Sequence, residues 1–167
     1  GMLSRTLTAN ASSGLWSWSL ASSDWQVLGE GSIRLAAVQT DLAGNVSGST
    51  IKNLTLDTAS RGLSLSAFAG DDHLNLAERS LSQTLGGLGE AGASVQISLG
   101  GLSRTVTVAS NGRWSTSFNA QELQSLTSGA SLSVLQTDLA GNTASTSKTI
   151  AINDNALSGA VSLSSPS

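Results

Sequence analysis

Polar and apolar residues alternate along much of this chain, most plainly in SVQISL (94–99), RTVTVA (104–109) and LSVLQT (132–137). A period of two marks strands that bury one face and show the other to water. Turn residues interrupt the alternation every eight to twelve positions, the spacing of an all-β sandwich. Seven strands are predicted, near 61–67, 79–85, 93–99, 103–109, 113–118, 130–137 and 143–153. Helical period is confined to AQELQSL (120–126), which predicts one turn between the fifth and sixth strands. Asn111-Gly112 is a tight-turn signal between the fourth and fifth.

The pattern occurs twice. QTDLAGN stands at 39–45 and again, letter for letter, at 136–142. The match extends outward: LSRTLT (3–8) meets LSRTVT (102–107), SGLWSWSL (13–20) meets NGRWSTSF (111–118), and KNLTLDT (52–58) meets TIAINDN (149–155). A period near one hundred residues means one whole domain per repeat. Residues 58–154 are expected to form a complete copy, and residues 1–57 the last part of a preceding one. The tail SGAVSLSS (158–165) resembles SRGLSLSA (60–67), so 155–167 are expected to begin a third copy or to form a disordered tail. The chain thus reads as a window on a longer array, with Gly1 a residue added in cloning. In the heptapeptide, Asp138 is expected to cap a turn through its side chain, and Gly141-Asn142 to tolerate positive φ where the sixth strand reverses into the seventh.

Composition narrows the function. With 8 basic and 11 acidic residues, a net charge of −3 and no basic stripe, the chain is not expected to bind nucleic acid. Its apolar runs are too short to cross a bilayer, so no membrane insertion is expected. It has no Cys, which excludes disulfides and thiolate metal sites. Catalysis is not expected either: the single His73 lies in GDDHLN, and no G-x-S-x-G elbow accompanies it.

VASNGRWSTSFNAQELQSLTSGASLSVLQTDLAGNTAS (108–145), with LDT at 56–58 and GDDHLNLAE at 70–78, resembles the bacterial immunoglobulin-like repeat of large surface and biofilm adhesins, the RTX type exported by type I secretion. The usual Pro after the Asp-Thr linker is replaced by Ala59-Ser60-Arg61. The resemblance implies an immunoglobulin-like β-sandwich acting as a structural or adhesive spacer at the cell surface or outside the cell. Its expected partners are neighbouring repeats of the same array, and many members stiffen their joints with calcium.

Calcium takes six to eight hard oxygen ligands. In a sandwich of this order, alternate turns lie at one pole. Asp57 at the joint, Glu90 in the second–third turn and Asp138 in the sixth–seventh turn are therefore expected to converge as metal ligands. Asp71, Asp72 and Asp154, with Asn75 and Glu122 nearby, form a second candidate set at the opposite pole. Acidic turn residues also occur simply to bond their own backbone. Trp16, Trp18 and Trp25 raise an alternative, a carbohydrate-binding or other ligand-binding β-sandwich module. Trp16 aligns with Trp114 and Trp25 with Leu123, however, which predicts core positions. Finally, the tail 158–165 could dock as a strand on the uncovered first copy of a neighbour, giving head-to-tail self-association.

Overall fold

The computed structural model describes residues 2–154, so the tail assigned to strand donation lies outside the described residues. The chain divides into two compact units, residues 1–58 and 59–167.

In the first unit, α1 (Ser22–Leu28) precedes an antiparallel hairpin of β1 (Gly31–Ala37) and β2 (Thr50–Leu56). The Asp24 carboxylate accepts from the Ala21 backbone N–H at 2.9 Å and from Arg5 at 3.2 Å, which fixes the start of the helix. Little else in this unit is buried. Trp16 is 53 % exposed and Trp25 40 %, which corrects the expectation that both are core residues. The equivalent Trp114 of the second unit lies on a strand paired with a neighbour, which Trp16 lacks among the described residues.

The second unit is a β-sandwich. It contains β3 (His73–Asn75), α2 (Leu76–Arg79), β4 (Gln83–Leu88), β5 (Ser94–Leu99), β6 (Leu102–Thr107), β7 (Arg113–Phe118), α3 (Ala120–Gln124), β8 (Ala130–Thr137) and β9 (Thr143–Asn153). One sheet runs β3-β9-β8-β5-β6 and the other pairs β4 with β7. The inward positions Val95, Ile97, Leu99, Leu132, Val134 and Ile150 of the first sheet meet Leu85, Trp114 and Phe118 of the second, all buried. Phe68 closes the core edge-on against Phe118, with ring centroids 6.0 Å apart. Trp114 lies opposite Gly87 of β4 and donates its indole N–H to the Leu88 carbonyl at 2.9 Å.

Two of the expected strands differ. Residues 61–67 form no regular ladder, but Ser64 and Ser66 donate their N–H groups to the Leu88 and Gly86 carbonyls, so the segment lies along β4. The strand expected at 79–85 starts at Gln83 instead, because α2 occupies 76–79. There Asn75 and Glu78 bond each other's backbone N–H groups in a capping box, as do Asn119 and Glu122 at α3.

Backbone bonding at Asn119 and the Arg104 guanidinium together hold the Glu122 carboxyl below its ordinary range. Since the folded value is the lowered one, this stabilisation is complete above the range of an unfolded glutamate and disappears as pH falls through the folded value. Glu122→Gln is therefore expected to flatten the acid limb of stability below about pH 4.5, as read from urea midpoints at successive pH values. An unchanged acid limb would refute it.

The hairpin registers also correct the alignment of the last strands. Leu35 faces Lys52 and Leu132 faces Lys148, so equivalence shifts from 97 residues in one strand to 96 in the next. Asp57 thereby corresponds to Asn153, not to Asp154. A single-residue change in the connecting segment produces the slip, which periodicity alone does not register.

Candidate metal centre

The two copies of QTDLAGN build the same turn. In the second unit, Asp138 Oδ1 accepts from the N–H groups of Ala140 (2.9 Å) and Asn142 (2.8 Å), and Oδ2 accepts from the Asn142 side-chain amide at 2.9 Å. In the first, Asp41 Oδ1 accepts from Ala43 (2.9 Å) and Asn45 (2.8 Å), and Oδ2 from the Asn45 amide at 2.8 Å. Gly44 and Gly141 supply φ values of 88° and 93°, which side-chain-bearing residues rarely adopt. The heptapeptide recurs because each letter has a place in this cap.

Burial works against the Asp138 carboxylate, but bonds from the Asn142 side chain and from the backbone N–H groups of Asn142, Ala140 and Gly141 outweigh it. The carboxyl is held below its ordinary range.

Gln136, at the head of the heptapeptide, is fully buried. Its Oε1 accepts from the Glu90 N–H at 3.1 Å, while its Nε2 donates to Ser60 Oγ at 2.7 Å and to the Arg61 carbonyl at 2.9 Å. One amide thus ties the start of the second unit, the β4–β5 turn and β8 together with all its groups satisfied. The Glu90 carboxylate in turn accepts from the Arg61 N–H at 3.2 Å. These contacts place carboxylate oxygens of Glu90 and Asp138 within 4.8 Å of each other, both half-buried or buried. Asp57 closes the first unit, three residues before Ser60 in the chain. Two adjacent carboxylates repel unless a cation or proton intervenes, and the all-oxygen donor chemistry fits calcium rather than a soft metal.

At the opposite pole the acids are engaged by the fold. Asp72 meets Lys148 at 2.5 Å and accepts from the Phe68 N–H at 2.7 Å. Asp154 pairs with Arg79, Glu122 with Arg104, and Asp71 accepts from the His73 N–H at 3.0 Å. His73 is exposed on β3. Gln136 escaped sequence reasoning, although a polar residue at the inward phase of LSVLQT was the available signal.

Comparison with known proteins agrees with this architecture. The bacterial Ig domain family matches residues 69–154, just over half of the chain. No curated protein matches. Among solved structures, the chain is similar to a Ca2+-stabilised adhesin that helps an Antarctic bacterium reach out and bind ice, with 25% identity over 87% of this chain and 37% of that one and a TM-score of 0.45. It is also similar to part of a 1.5-MDa bacterial ice-binding adhesin, at 25% identity over 75% of this chain and 43% of that one, with a TM-score of 0.43. A third is a bacterial immunoglobulin-like domain from the M. primoryensis ice-binding adhesin, at 25% identity over 53% of this chain and 93% of that one, with a TM-score of 0.40. The chain spans about two-fifths of the length of the first two. Since that family match spans more than half of the sequence, this chain belongs to the bacterial Ig domain family.

Proposed function

We propose that the chain is a non-catalytic spacer segment of an extracellular bacterial adhesin, in which Asp57, Glu90 and Asp138 hold calcium where one repeat follows another. Its partners are then neighbouring repeats, and its work is to project a binding domain away from the cell surface. The observation that carries the reading is the juxtaposition of Glu90 and Asp138 beside the Gln136 amide, which holds the first residues of the second unit at the same turns. Asp57 is included because only three residues, a span of at most about 11 Å, connect it to Ser60. Calcium neutralises the carboxylates and limits bending at the joint.

The test is thermal unfolding in calcium, in excess EGTA and in magnesium. Calcium at one hundred times its Kd is expected to stabilise by about 2.7 kcal/mol, a rise of several degrees. Glu90→Gln and Asp57→Asn should each abolish the rise and leave the Asp138 turn intact, whereas Asp71→Asn should not. An absent shift at millimolar calcium, or one lost only in Asp71→Asn, sinks the assignment.

The exposure of Trp16 and Trp25 is what a carbohydrate-binding module would need. Quenching of their fluorescence by added sugars, absent in Trp16→Ala, would favour that second reading.

A further inference from the structure

The five-stranded sheet of the second unit ends at β6, which has β5 on one side and no strand on the other among the described residues. The two-residue turn at Gly100-Gly101 closes on the Leu99–Leu102 pair, and beyond β6 the Val108 N–H donates to the Ala93 carbonyl at 2.9 Å. Even-numbered residues of β6 therefore bond to β5, and Ser103, Thr105 and Thr107 turn their N–H and C=O groups outward. Such a row is a template for another strand. On the core side it is flanked by Leu102, Arg104 and Val106. The two apolar side chains are only partly buried, so a pairing strand would cover them. Arg104 stands between them.

Its guanidinium closes the edge. Nη1 donates to the Ser103 carbonyl, one of the outward acceptors, at 2.9 Å, and Nη2 pairs with Glu122 of α3. Cζ lies 5.4 Å from the centroid of the Phe118 ring. The first unit repeats the arrangement at Arg5 of LSRTLT. There Nη1 donates to the Ser4 carbonyl at 3.0 Å and Nη2 to Asp24 at 3.2 Å, with Cζ 5.7 Å from the centroid of the Trp18 ring. Asp24 and Glu122 are each the third residue of a helix. The acid and the ring differ between the units, but the three contacts do not.

We propose that the β6 edge is a latent pairing surface for a second copy of this chain, and that Arg104 keeps it shut. Two β6 strands related by a two-fold axis pair antiparallel, and a pairing centred on the strand sets Arg104 opposite or diagonal to its mate. Like charges at that separation repel, and the added strands take both guanidinium groups out of water. The Ser103 acceptor must also be released. Repeated domains are prone to such misassembly, so the guard serves any array built from them. The inference goes beyond the spacer reading and is independent of calcium.

The experiment measures self-association of the full chain by sedimentation, with amide exchange at Thr105 as the local readout. In the parent chain Thr105 should exchange fast at every concentration. Arg104→Val leaves three apolar side chains in a row and is expected to tighten self-association at least about tenfold, with Thr105 exchange slowing as concentration rises. Arg104→Gln keeps a donor for Glu122 and should move both readouts the same way, whereas Arg104→Lys keeps the charge and should match the parent. Thr105→Pro removes an outward N–H where an edge strand tolerates proline, and added to Arg104→Val it should restore the parent value. Unchanged association in folded Arg104→Val or Arg104→Gln, or tightened association that survives Thr105→Pro, would overturn the proposal.

Discussion

Arg79→Met is expected to cost the second unit about 2–4 kcal/mol, set by the backbone carbonyls it leaves without a donor and not by its ion pair, whose Asp154 carboxylate is half-exposed. Arg79 is only 7 % exposed although it carries a guanidinium. Its Nε donates to the Leu123 carbonyl at 3.1 Å, and one terminal nitrogen donates to the carbonyls of Gln124 at 2.8 Å and Leu126 at 3.0 Å. These groups lie at the end of α3 and just beyond it, where helical carbonyls run out of N–H partners within the helix. The other terminal nitrogen pairs with Asp154. Methionine keeps the aliphatic stem and removes every donor; the Leu123 carbonyl keeps the Leu126 N–H, but those of Gln124 and Leu126 must be hydrated or stranded at ~1–3 kcal/mol for each that stays buried. Arg79→Lys should recover only part of the loss, since one ammonium cannot reproduce the fork. The check is a urea transition followed by the indole N–H signal of Trp114, which reports the second unit alone. A midpoint within 1 kcal/mol of the parent protein would show that water replaces the guanidinium without penalty.

Arg79 also marks where sequence reasoning stopped. The strands at 94–99, 113–118, 130–137 and 143–153 were legible because each buries one face, and burial of one face writes a period of two. The segment at 79–85 was misread, yet NLAE (75–78) carries the same Asn-x-x-Glu box as NAQE (119–122), and that box was the unread signal. No local pattern shows that an arginine is buried, because its partners lie 44 to 75 residues away. The near-pole acids were legible for the opposite reason. In an antiparallel sandwich alternate turns share a pole, so Glu90 and Asp138 follow from strand order alone. The one-residue slip between Asp57 and Asn153 depends on hairpin register, which local pattern does not set.

Gly87→Ala should be nearly as damaging, at about 2–3 kcal/mol, although it adds one methyl group. A Cβ at this position would stand 2.0 Å from the Ser64 carbonyl oxygen and 2.9 Å from Trp114 Cζ2. Neither neighbour can yield cheaply. Trp114 is buried and tethered by its indole N–H to Leu88. Ser64 is backbone, held by its N–H to the Leu88 carbonyl at 2.9 Å and by its hydroxyl, which accepts from the Leu88 N–H at 3.1 Å. The leading segment must therefore lift off β4, surrendering these bonds and the packing of Leu63 and Leu65 against the core. Hydrogen exchange distinguishes this from general loosening: the Ser64 and Ser66 amides should lose protection first, while Val95 and Val134 keep theirs. Full protection at Ser64 and Ser66 in a stable variant would mean that β4 accommodates the methyl by moving itself, and that the leading segment is not pinned by this glycine.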